Sequence, residues 1–123
     1  MKIISMKAHG FIDYFYGIAL LLSPWIWDYN ATGLESLILI LLGVSIISIS
    51  LMTDYEKSLL RLISMKNHLL IDFLSGIFLA ISPWLFEFKD IVYLPHLIFG
   101  ITAIIVAILT KTKPSDKKDD NLI

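Results

Sequence analysis

Ser5-Met6-Lys7-Ala8-His9-Gly10-Phe11-Ile12-Asp13, followed by Gly17-Ile18 and Ser23-Pro24-Trp25, returns later as Ser64-Met65-Lys66-Asn67-His68-Leu69-Leu70-Ile71-Asp72, Gly76-Ile77 and Ser82-Pro83-Trp84. The offset is 59 residues at each matched position. Between 3–25 and 62–84, 13 of 23 residues are identical. A chain that repeats itself over this length is built from two copies of one structural unit. The repeat therefore speaks to architecture first.

Each copy is followed by a second apolar run. These runs agree at an offset of 57, with Gly43 against Gly100, Ser45 against Thr102 and Ser50 against Ala107. The change of two residues belongs to the loop inside each copy. The pattern predicts four spans, at about 8–27, 35–53, 67–86 and 92–110. The organisation is a first hairpin repeat over 1–58, a second over 59–112 and a polar tail over 113–123 without periodicity, read as disordered.

Composition says what kind of spans these are. The hydrophobic fraction is 57% and the mean hydropathy +0.78. Ordinary soluble domains are less apolar. Each span has about the 20 residues that carry a helix across a hydrocarbon core of about 30 Å. Alternation of period two is missing, so a membrane barrel is not expected. The fold class read from the sequence is an all-α membrane protein, with four transmembrane helices arranged as two tandem parallel-repeat hairpins. The first run is read as retained, since no small-residue cleavage site follows it and its matched copy lies mid-chain.

Charge sets the orientation. Lys2, Lys7, Lys57, Arg61, Lys66, Lys111, Lys113, Lys117 and Lys118 fall on one side of the four spans, and Lys89 alone on the other. The positive-inside rule then puts both termini in the cytoplasm and the protein in the cytoplasmic (inner) membrane. Residues 54–66 mix Lys, Arg, Asp and Glu with leucines, which suits a short amphipathic surface helix. Asp28 to Gly33 and Glu87 to Asp90 are outer loops. Two spans per repeat give both copies the same orientation.

Two hairpins, each with Ser-Pro-Trp at the end of its first span, resemble the SPW-repeat family of small membrane proteins. The motifs that carry the resemblance are Ser23-Pro24-Trp25 and Ser82-Pro83-Trp84. It implies a membrane location and a four-helix arrangement over roughly residues 4–110. It implies no activity and no catalytic residues.

The motif also has a purely physical reading. Proline lacks an N–H and clashes with the carbonyl four residues back, here Leu20 and Leu79, so it kinks or ends the span. The neighbouring serine can bond the freed carbonyl, which lipid cannot do. Tryptophan suits the headgroup layer. Gly17, Gly43, Gly76 and Gly100 lie within spans, where small residues let helices approach closely.

His9 with Asp13, and His68 with Asp72, are the residues with chemistry. Four-residue spacing puts each pair on one helix face. Tyr16, Gly17, Leu20 and Ser23 continue that face, while Phe11, Phe15, Ile18 and Leu22 occupy the opposite one. A carboxyl inside a span is costly unless it faces the protein interior with a partner. The two copies are expected to bring the pairs together on the cytoplasmic side. Three uses stay open on spacing alone: hydrogen-bonded packing of helices, a proton or ion path, and binding of a borderline divalent metal or of haem by two axial histidines. No cofactor is required by the sequence. His96 has no counterpart, since Leu39 stands at the matching position, and is read as a satisfied interfacial histidine.

There is no cysteine, so thiol chemistry and disulfides are excluded. No Gly-rich loop or nucleophile motif recommends a reaction, and an enzyme is not expected. A structural or interaction role in the membrane is the favoured reading. Its partners are the lipid bilayer, a second copy of the chain or another membrane protein, and not nucleic acid.

Overall fold

The computed structural model describes residues 2–27, 32–53 and 62–112. Within them the chain forms four helices: α1 (Met6–Ile26), α2 (Leu34–Met52), α3 (Met65–Leu85) and α4 (Leu94–Leu109). The tail 113–123 and residues 54–61 of the expected surface helix lie outside the described residues, as does most of the first outer loop.

α1 and α3 begin two residues before the predicted spans, for the same reason. The Ser5 hydroxyl accepts from the Ala8 N–H at 3.1 Å, and the Ser64 hydroxyl from the Asn67 N–H at 3.2 Å. Serine in this role satisfies an N–H that the first helical turn leaves open. The start of α3 corrects part of one expectation. Residues 62–66 are not the end of a surface helix. Leu62 and Ile63 run extended, both donating to the Met52 carbonyl, at 2.6 and 2.8 Å, and Met65 opens α3.

The matching connection ties the first copy to the last helix. Ile3 and Ile4 donate to the Leu109 carbonyl at 2.8 and 3.0 Å. The chain thus forms two parallel bridges, Ile4 with Thr110 and Thr53 with Ile63. These close the end of the bundle where α1 and α3 begin.

At the other end, proline stops the helices. Pro24 lies within α1, which ends at Ile26, and Pro83 within α3, which ends at Leu85. The Ser82 hydroxyl donates to the Leu79 carbonyl at 2.7 Å, the carbonyl that Pro83 leaves without its helical donor. Beyond Phe86, Glu87 takes a positive φ of 60°, and the Phe88 N–H reaches back to the Pro83 carbonyl at 2.8 Å. This is the six-to-one bond that closes a helix end. It also folds Phe88 into the core, at 4% exposure. α4 starts at Leu94, two residues later than predicted, with Pro95 in its first turn, where a missing N–H costs nothing.

Glycine sets the spacing within each hairpin. A Cβ on Gly43 would lie 2.8 Å from the Gly17 carbonyl oxygen, and one on Gly100 would lie 2.6 Å from that of Gly76. The four glycines meet in pairs, α1 against α2 and α3 against α4, with backbones too close for a side chain. Leu20, Leu39 and Leu79, all but fully buried, fill the centre between the hairpins.

α2 (19 residues) and α3 (21 residues) are long and apolar enough to cross a membrane. The apolar α4 is shorter, at 16 residues.

Candidate functional site

His9 and Asp13 sit one turn apart on the inward face of α1, and His68 and Asp72 likewise on α3. The two imidazoles are fully buried, and the carboxylates keep 5% and 8% exposure. Their atoms close a ring of four. His9 Nε2 lies 2.9 Å from Asp72 Oδ2 and 3.0 Å from Asp13 Oδ2. His68 Nε2 lies 2.7 Å from Asp13 Oδ2 and 3.1 Å from Asp72 Oδ2. The shorter contact of each histidine is the one that crosses between hairpins. The imidazole rings meet edge to face, with centroids 5.3 Å apart.

The other ring nitrogen is held too. His9 Nδ1 is 2.8 Å from Thr110 Oγ1, and His68 Nδ1 is 2.6 Å from Thr53 Oγ1. Each threonine hydroxyl gives its one proton to the carbonyl a turn back, Val106 for Thr110 and Ile49 for Thr53, at 2.5 and 2.6 Å. Each hydroxyl therefore accepts from its histidine, and Nδ1 is the donor. This leaves both Nε2 atoms aimed at two carboxylate oxygens, with a proton or a cation required between them. Ser50 adds a longer donor contact to Asp13 Oδ2, at 3.4 Å.

The connectivity is an exchange. His9 of the first hairpin is gripped at both nitrogens by the second, through Thr110 and Asp72. His68 of the second is gripped by the first, through Thr53 and Asp13. Neither ring can leave without breaking bonds to the opposite hairpin.

Thr53 and Thr110 were not among the residues singled out by sequence. They stand 57 apart, the offset of the second spans. Carrying that register to the ends of those spans picks them out as a repeated polar pair. The other repeated motifs lie elsewhere. Ser23-Pro24-Trp25 and Ser82-Pro83-Trp84 begin about 15 Å further along their helices than the carboxylates, from 1.5 Å per residue. Their serines and prolines are buried, while Trp25 is 63% and Trp84 46% exposed. Gly17, Gly43, Gly76 and Gly100 lie between these ends. His96 is fully buried and donates from Nε2 to the Glu35 carbonyl at 2.8 Å, linking the starts of α4 and α2.

Asp13 and Asp72 also line a cavity of about 20 Å³, bounded by residues of all four helices including Tyr16, Ile46 and Thr102. That is room for about one water. The Tyr16 hydroxyl donates to the Phe99 carbonyl at 2.5 Å. Among the described residues, His9, Asp13, His68 and Asp72 are the group whose donor atoms, all within 4.8 Å of one another, could hold a metal ion.

Neither the comparison with curated proteins nor that with solved structures found a match. The doubled hairpin and its doubled Ser-Pro-Trp helix ends are matched instead at the level of a family. The model of the SPW repeat domain covers residues 7–110, from the start of α1 past the end of α4, and the chain belongs to the SPW repeat family.

Proposed function

We propose that this protein is a four-span structural or interaction protein of the cytoplasmic membrane, with both termini inside, and that the His-Asp ring is the lock between its hairpins. One observation carries the reading: the molecule buries its polar groups and turns large apolar side chains outward. His9, Asp13, Ser23, Ser50, Thr53, His68, Asp72, Ser82 and Thr110 are all buried. Large apolar side chains stand exposed on all four helices, among them Phe15 at 75%, Leu41, Leu74 and Ile105. Water penalises that arrangement, and lipid favours it. α4 supplies about 24 Å of helix at 1.5 Å per residue, and Tyr93 and Trp84, their rings tilted at 59° with centroids 5.8 Å apart at its outer end, suit the headgroup layer. With two spans per repeat, the hairpins share one orientation about an axis along the membrane normal.

Transport through the ring is the weaker reading. A conducting path needs polar groups on both sides of the site, and outward of the carboxylates Leu20, Leu39 and Leu79 close the core.

The membrane reading is tested by labelling single cysteines in intact cells with a membrane-impermeant thiol reagent. Asp90→Cys is expected to react from outside and Lys66→Cys only after lysis. Outside labelling of Lys66→Cys overturns the topology.

A further inference from the structure

We propose that His9, Asp13, His68 and Asp72 form a binding site for one borderline divalent transition-metal ion, with Zn2+ the best fit. The inference goes beyond the structural role of the ring and concerns what occupies its centre.

Four features of the site carry it. The donors are two imidazole nitrogens and two carboxylate oxygens, a set that suits zinc and its neighbours rather than magnesium or calcium. The threonine bonds fix the tautomer. Because Nδ1 of each ring donates to Thr53 or Thr110, the Nε2 lone pairs point into the ring. A metal-binding histidine is commonly oriented in this way, by a hydrogen bond from its other nitrogen.

Charge is the third feature. Two carboxylates neutralise one divalent cation, so the loaded site carries no net charge in a bundle where net charge is expensive. The hydroxyl groups of Thr53, Thr110 and Ser50 complete the polar surroundings.

Geometry is the fourth. Neighbouring donors are 2.7–3.1 Å apart around the ring. A tetrahedral ion with bonds of about 2.0–2.1 Å sets its donors about 3.3 Å apart. The ring must open by a few tenths of an ångström. The adjoining cavity, lined by both carboxylates, gives Asp13 and Asp72 space for that movement.

The test uses the full chain in detergent, stripped with a chelator and checked for helix content by circular dichroism. Zn2+ is titrated in competition with a chromophoric chelator, and Co2+ is added as a spectroscopic stand-in. One Zn2+ per chain is expected, with the intense visible absorption of a four-coordinate Co2+ site. Asp13→Asn with Asp72→Asn is expected to weaken Zn2+ at least 10-fold, since a neutral amide is a poorer ligand. Thr53→Val with Thr110→Val keeps all four donors and is expected to weaken it roughly 10–100-fold by releasing the rings. If the carboxylate variant does not fold, the threonine variant decides. Stripped, folded protein that binds no Zn2+ overturns the proposal, as does stoichiometric Zn2+ binding that survives the substitutions in a folded variant. The structural reading is separate. If the protein takes no metal but still unfolds more easily when His9 is removed, the lock stands and the metal site falls.

Discussion

At the end of the bundle where α1 and α3 begin, the two copies of the repeat do the same thing to each other. His9 takes Thr110 and Asp72, and His68 takes Thr53 and Asp13. The paired bridges Ile4–Thr110 and Thr53–Ile63 close over them. Away from that ring, two contacts have no counterpart in the other copy. His96 donates to the Glu35 carbonyl, while Leu39 holds the position that matches His96. Tyr16 donates to the Phe99 carbonyl, while Ser75 holds the position that matches Tyr16. A duplicated unit can build a shared site only from residues that both copies carry. Unmatched residues make single bonds that trim packing on one side. On this view the doubled ring holds most of the polar stabilisation, and the unmatched single bonds are dispensable.

The largest effect is expected from His9→Ala. It takes one buried partner from each of Asp13 and Asp72, and breaking a buried charge pair costs about 3–5 kcal/mol. Unfolding by denaturing detergent, followed by circular dichroism, measures it. A loss below that of a single neutral hydrogen bond would break the comparison. Gly100→Ala comes next. Its Cβ would meet the Ala80 nitrogen at 2.5 Å and the Gly76 oxygen at 2.6 Å. These are backbone atoms, so α3 and α4 must separate, at about 1–3 kcal/mol by the usual cost of overpacking.

On the membrane reading proposed above, Thr110→Val should cost about 0.5–2 kcal/mol, the range for a hydrogen bond between helices in lipid. It sharpens the comparison because Thr53→Val should cost a similar amount, the two sites being matched. A large inequality would mean that the two hairpins do not contribute equally to the ring. His96→Leu, which copies the residue of the first hairpin, is expected to have the smallest effect, about 0.6 kcal/mol. A loss as large as that from His9→Ala would show that an unmatched bond also acts as a lock.

The repeat, the lengths of its apolar runs and the positions of Pro24 and Pro83 make the four helices legible in the sequence, to within two residues at each end. Local physics places such ends. A serine caps a helix start, a proline stops a helix, and both act over one turn. The i, i+4 spacing likewise put His9 with Asp13 and His68 with Asp72 on single faces, because helix geometry alone decides that. What tertiary structure decided is the partner of each group. The Nδ1 of His9 is bonded 101 residues away and its Nε2 63 residues away. No spacing rule reaches across that separation, and the i, i+4 pairing visible in the sequence turned out to be the longer contact of each histidine. The threonines escaped notice for the same reason. Thr53 and Thr110 end their helices as ordinary polar residues, and only the docking of one hairpin on the other brings their hydroxyls to the rings.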